Sequence, residues 1–270
     1  MAAERTLEDV EYEVEDGVAW ITIARPERYN AFRSRTVDEL IHCFKLAWAD
    51  GGVGVVVLTG KGERAFCAGG DQKQRAETGD YGPSDYGLFE VEQLHRIIRA
   101  IPKPVIAAVN GIAIGGGHVL HVLCDLSVAA DHARFGQAGP RVGSFDAGFG
   151  TSYLARVVGE KRAREIWFLC RQYDAETAER WGLVNRVVPL AELRAEVRRM
   201  ADEILALSPT ALRFLKQSFN ADSDHIGGVA SLAFTGLHQF VESPEAHEGV
   251  AAFNAKRPPD FSAYRAAASV

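Results

Sequence analysis

Two glycine-rich stretches carry the first chemical signal in this chain. Ala65–Asp71 reads AFCAGGD, and Asn110–Gly117 reads NGIAIGGG. Each ends an apolar, strand-like run with glycines, where a backbone N–H can approach a ligand with no side chain in the way. Two such N–H groups aimed at one point make an oxyanion hole, a device for stabilising the anion formed from a carbonyl. Losing one such donor costs about 3–4 kcal/mol of transition-state stabilisation. The triple glycine of the second stretch also opens a helix, whose partial positive end attracts an oxyanion. AFCAGGD alone reads equally well as a packed turn, and it is the pairing with the second stretch that points to chemistry.

A third stretch, Arg141–Gly150 (RVGSFDAGFG), places Ser144 two residues before Asp146. One reading is an Asx-turn with a neighbouring hydroxyl. The other is a carboxylate, oriented by Ser144, that gives or takes a proton beside the anion. Gly60, Gly62 and Ala65 match a dinucleotide fingerprint after a buried strand, but the helix that fingerprint needs does not follow, so it is set aside. The eight histidines form no ligand set. His118 and His121 share a helix face without a third partner, so packed rings are expected and no metal site.

The elements that must position these residues alternate between strand and helix. Residues 10–25 read as a hairpin around Asp16-Gly17, and 36–50 carry helix-spaced apolar residues. Val53–Thr59 is a β-branched run suited to a strand buried on both faces. Residues 81–86 read as a mobile loop and 88–100 as a helix, followed by a strand at 105–109, a helix from the triple glycine to Leu123, and a strand at 125–130. This alternation predicts an α/β fold with right-handed crossovers and a mostly parallel sheet. From about residue 160 the chain reads as helical, broken at 182–189, with amphipathic helices at 190–207, 209–220, 227–240 and 244–254. The tail, 256–270, is expected to lie across a neighbouring surface.

Size and composition narrow the function classes. With 270 residues, 47% hydrophobic and 24% charged, the chain can bury one large core. A net charge of −6 argues against nucleic acid and anionic membrane as partners. The four cysteines are scattered and expected to be buried thiols rather than disulfides or zinc ligands. The first residues hold no apolar leader and no run is long enough to span a bilayer, so a cytoplasmic location is expected.

In order along the chain, AFCAGGD, NGIAIGGGHVL, CDLSVAAD, FGQAGP and WGLVNRVVP resemble the crotonase (enoyl-CoA hydratase/isomerase) superfamily, over roughly residues 8–262. The resemblance implies a crotonase (ClpP-like) spiral of β-β-α units over residues 1–205 and a C-terminal helical trimerisation and lid region over 206–270. It further implies homotrimers, usually paired as hexamers, and a coenzyme A thioester substrate with no tightly bound cofactor. The oxyanion hole would be the N–H groups of Gly70 and Gly116. The two water-activating glutamates of hydratases align here with Val119 and Gly139, neither of which can move a proton.

GGDQKQR, GGGHVLH, VGSFDAGFG, REIWFLCRQYDA and KRPPDFS also resemble the 1,4-dihydroxy-2-naphthoyl-CoA synthases of menaquinone synthesis. DGVAWITIARPERYNAFRSRTVDEL and GLFEVEQLH resemble the 2-ketocyclohexanecarboxyl-CoA hydrolases. One family closes a ring by Claisen condensation on a β-oxoacyl-CoA; the other opens one with water. The synthase pattern implies a bicarbonate base in the hole left at Gly139, held by Gln137 and the Trp167 indole, with Asp146, oriented by Ser144, as acid. Lys73 and Arg75 would meet CoA phosphates or a substrate carboxylate, Lys256 would contact CoA, and Tyr81 or Tyr86 would touch the substrate. Val241 stands where both families carry a tyrosine, and Phe149 replaces a larger or more polar aromatic. A synthase-type lyase is therefore expected, with the ring-cleaving hydrolase, a hydratase or isomerase, and a non-catalytic acyl-CoA- or RNA-binding relative as alternatives.

Overall fold

The computed structural model describes residues 5–269. Residues 1–4 and 270, at the outer ends of the two segments expected from sequence, lie outside the described residues. The chain opens with the antiparallel hairpin β1 (Val10–Glu15) and β2 (Val18–Ile23), turned by Asp16 and Gly17 at φ 44° and 81°. Both central residues are left-handed, which lets the turn match the twist of its strands. Helix α1 (Ser34–Ala49) follows, and then a repeating pattern begins.

Each repeat is a long strand, a short strand and then a helix or loop. The first is β3 (Val55–Gly60), β4 (Ala65–Cys67) and α2 (Gln72–Thr78), after which α3 (Val91–Ala100) returns the chain. The second is β5 (Val105–Val109), β6 (Ile112–Ile114) and α4 (Gly116–Leu123). The third is β7 (Leu126–Ala130), β8 (Arg134–Gly136), a loop through residue 150, then α5 (Ser152–Val158) and α6 (Glu160–Leu169). β9 (Gln172–Asp174), α7 (Ala175–Arg180) and β10 (Arg186–Val188) complete the sheets. Helices α8 (Leu193–Leu205), α9 (Pro209–Ala221), α10 (Ile226–Phe240) and α11 (Pro244–Asn254) finish the fold.

The long strands form one sheet in the order β1-β2-β3-β5-β7-β10, parallel from β2 onward. The short strands form a second sheet, β4-β6-β8-β9, parallel except for its last pair. Side-chain alternation divides the core. Val55 and Val57 face α8 through Leu193, Val197 and Ala201, while Val56 and Leu58 face the cluster containing α1, α3 and α4. Covered on both faces, β3 reads as the unbroken β-branched run seen in sequence.

The α/β architecture with its helical C-terminal region is the one expected. Three elements differ from expectation. Helix α2 starts directly after AFCAGGD, where no helical run was read, because Asp71 caps it through Gln74 N at 3.0 Å. Strand β9 interrupts a stretch read as helical, and α3 begins at Val91 rather than 88. All four cysteines are free and buried. Among the described residues, no helix is long and apolar enough to cross a membrane and no metal-ligating cluster occurs.

Candidate active site

Three adjacent parallel strands of the second sheet, β4, β6 and β8, end side by side. Ala68–Gly70 continue β4, Gly115–Gly116 continue β6, and Gln137–Asp146 continue β8, so all three sequence signals meet at one sheet end. There they line a cavity of about 930 Å³. The spiral thus brings together residues that lie far apart in the chain.

The glycine turn after β4 is held from below. Phe32 N donates to Gly69 O at 2.8 Å, and Asp71 N donates to Phe32 O at 2.9 Å. The Gly70 N–H between them stays uncommitted and borders the cavity. Beneath it, the buried Asp71 carboxylate accepts from Arg25 Nη2 at 2.9 Å, and Asn30 Nδ2 donates to Ala65 O at 2.7 Å. The second turn abuts the first: a Cβ added to Gly69 would lie 3.0 Å from Gly116 N. Gly115, at φ 58°, turns the chain so that α4 begins with the Gly116 N–H free. At Gly116 a Cβ would meet the Phe32 ring at 2.5 Å, and at Gly117 the Cys67 carbonyl at 2.0 Å. Glycine is required at both by close approach.

Asp146, in the loop after β8, lines the same cavity. The residue is half-buried, yet its Oδ1 is sealed from solvent and has no hydrogen-bond partner. Burial pushes its carboxyl up to about 7, against a smaller lowering by the Gly150 amide. A carboxyl that titrates near neutrality inside an apolar cavity has the tuning of a proton-transfer group.

Several residues expected at the site stand differently. Ser144 borders the cavity but makes no hydrogen bond to Asp146, so the expected orienting contact is not formed. No bicarbonate cradle is formed either. A Cβ at Gly139 would strike Ser144 O at 2.7 Å and the Trp167 ring at 3.2 Å, so the missing carboxylate leaves no hole. The Trp167 N–H is spent on Gly150 O at 2.5 Å, and the Gln137 amide faces His118 Nδ1 at 3.3 Å. These residues do not fit a bound bicarbonate.

Of the expected substrate contacts, Tyr81 borders the cavity and Tyr86 projects away, 81% exposed. The Tyr81 ring stacks on Phe89 at 4.4 Å and covers Gly70, whose absent Cβ would be 2.7 Å away. Arg75 faces the cavity; it is buried, and its Nη1 has no partner. Lys73, one helix face away, is exposed and reaches only Glu77 at 3.9 Å. Lys256 is exposed after α11 and does not border the cavity. Val119 is buried in α4, while Val241 borders the cavity with Phe234 and Leu237. Sequence reasoning missed His238, in the last turn of α10, and Glu242, just past its end, at the same wall; their signal was a polar i, i+4 pair beside apolar residues. His118 and His121 are buried rings, held neutral by desolvation.

Comparison with known proteins adds sequence and shape. A sequence model described as enoyl-CoA hydratase/isomerase matches residues 13–264. An enoyl-CoA hydratase from Mycobacterium avium subsp. paratuberculosis K-10 is 29% identical with TM-score 0.85, over 95% of this chain and 100% of that one. A carnitinyl-CoA hydratase from Mycobacterium avium is 30% identical with TM-score 0.82, over 96% and 100%. OdaA of Pseudomonas aeruginosa is 30% identical with TM-score 0.83, over 91% and 98%.

Proposed function

The chain belongs to the enoyl-CoA hydratase/isomerase family, and from that premise we propose a crotonase-type enzyme that makes a carbon–carbon bond through a thioester enolate on a β-oxoacyl-CoA, as 1,4-dihydroxy-2-naphthoyl-CoA synthases do. The observation that carries this is a carboxyl raised by burial, Asp146, lining the same cavity as two free glycine amides. Val119 and Gly139 supply no glutamate for hydrating an enoyl group.

In this reading the Gly70 and Gly116 amides hold the thioester oxygen. Ionised Asp146 takes the α-proton, and the electron pair moves onto that oxygen as the enolate. The α-carbon attacks the substrate's second carbonyl, Asp146 returns the proton to the attacked oxygen, and water departs as the ring forms. One carboxyl serves both transfers, so no bicarbonate is required. Arg75, buried and unpartnered, receives the substrate's carboxylate. Tyr81, folded over Gly70, closes on the acyl group. Phe234, Leu237, Val241 and Phe253 form the outer wall, which supports reading 206–270 as a lid region. Phe214, Leu215 and Phe219 lie exposed along α9, which supports an assembly of copies such as a trimer or hexamer.

The unformed bicarbonate cradle favours a second reading, a ring-cleaving β-oxoacyl-CoA hydrolase. There Asp146 takes a proton from the water attacking the β-carbonyl. The Cα–Cβ bond breaks onto the same enolate, and the proton goes to the α-carbon. Mass spectrometry separates the readings. The enzyme is incubated with the open-chain precursor of 1,4-dihydroxy-2-naphthoyl-CoA and, separately, with 2-ketocyclohexanecarboxyl-CoA. Loss of one water from the first supports the synthase, and gain of one water by the second supports the hydrolase. Turnover of neither, with crotonyl-CoA hydrated instead, would refute both.

A further inference from the structure

Trp167 packs between two turns of the loop that follows β8. Its Nε1–H donates to Gly150 O at 2.5 Å. Its ring passes between two glycines: a Cβ on Gly139 would be 3.2 Å from Cζ3, and one on Gly150 would be 3.1 Å from Cζ2. The same Gly150 Cβ position lies 3.0 Å from Asp146 Oδ1 and 3.2 Å from Asp146 Cβ, so the carboxyl packs directly against Gly150. Trp167 is itself fixed, 6% exposed, within the main core.

We infer that Trp167 is a positioning residue rather than an ion ligand: its indole N–H anchors Gly150, and Gly150 in turn holds the Asp146 carboxyl against the cavity. A Cβ at Gly150 would press on the indole and the Asp146 carboxyl at once, whereas one at Gly139 would first meet Ser144 O at 2.7 Å. The inference rests on Asp146 being the proton carrier, but its test does not require turnover.

The groups facing Asp146 from the surrounding elements leave Gly150 as the controlling contact. From α3, His95 and Arg99 lie behind Phe149, with His95 pushed down to about 4 by burial. From α4, His118 stands behind Gln137 and is likewise pushed down to about 4. Arg75 of α2, His238 of α10 and Glu242 just after α10 border the cavity. None of these charges perturbs the carboxyl, whose surroundings are set by burial and by Gly150.

The test follows the Asp146 carboxyl by infrared difference titration of the full-length protein, with Asp146→Asn as blank. Trp167→Phe keeps a ring and removes the N–H. The expected result is a move of the midpoint by about half a pH unit or more, as Gly150 shifts and the packing around the carboxyl changes. The kcat–pH midpoint should move with it while KM for the acyl-CoA stays within about twofold. Gly150→Ala should move the midpoint the same way, and Trp48→Phe, on the exposed side of α1, should leave it unchanged. An unmoved carboxyl in both Trp167→Phe and Gly150→Ala overturns the inference. So does a Trp167→Phe enzyme that has lost only a bicarbonate-dependent rate. Because the carboxyl is read without substrate, a wrong choice of reaction would not disguise the titration result.

Discussion

Replacing Asp146 by Asn should make the protein more stable and nearly inactive, and the pH dependence of the first effect is the informative part. In the fold the carboxyl is raised from the ordinary 3.8 to about 7, chiefly by desolvation. An acid raised on folding favours the folded state while protonated and opposes it once ionised. The wild-type protein therefore loses stability as pH rises from about 4 to about 7, and the loss levels off above that. At about 1.4 kcal/mol per unit, roughly three units give a ceiling of about 4 kcal/mol. Asparagine still buries an amide, so a gain of about 1–3 kcal/mol at pH 8 is expected, with little difference near pH 4. Urea unfolding of both proteins at the two pH values measures this, and kcat should fall about 10²–10⁴-fold in the same variant. A variant destabilised equally at both pH values would refute the reasoning, since Asp146 would then be a structural contact and not a strained proton carrier.

Gly116→Ala places a methyl 2.5 Å from the Phe32 ring and displaces the amide beside it, so kcat should drop about 10²-fold with circular dichroism unchanged. Full activity would remove Gly116 from the oxyanion hole. Arg75→Met deletes a buried unpartnered guanidinium; KM for a carboxylate-bearing acyl-CoA should rise about tenfold or more while thermal stability holds or improves. An unchanged KM in steady-state assays would contradict that role. Tyr81→Ala should impair turnover and Tyr86→Ala should not, because only the first borders the cavity. Equal kcat/KM values for the two variants would show that the loop does not close as described.

Much of the fold was readable because its signals are local. The Asp16-Gly17 turn, the β-branched run of β3 and the proline-led helices α9 and α11 each announce themselves within a few residues. Helix α2 was hidden because its start depends on a cap and its residues are polar. Strand β9 was hidden because its three residues are half or fully exposed and become a strand only by pairing with β8. At the site, the glycines and Asp146 were legible as types and spacings. The state of Asp146 was not, because a raised carboxyl is a property of the packed loop and not of the S-x-D spacing. Nor was the use of Trp167: an indole N–H has many candidate acceptors, and only the fold shows that Gly150 O claims it. Lys73 and Arg75, two residues apart, were indistinguishable in sequence; helical geometry sends one to solvent and the other into the cavity.

The most direct measurement is hydrogen–deuterium exchange at the α-carbon of an acyl-CoA that has an α-hydrogen and no second carbonyl, such as 3-phenylpropionyl-CoA, followed by proton NMR in heavy water. The wild-type protein should exchange that hydrogen at a rate that climbs as pH passes through about 7. Asp146→Asn and Gly116→Ala should each slow it about 10²-fold or more. Exchange that persists at the wild-type rate in Asp146→Asn would contradict Asp146 as the proton carrier, and no exchange in the wild-type protein would contradict the enolate.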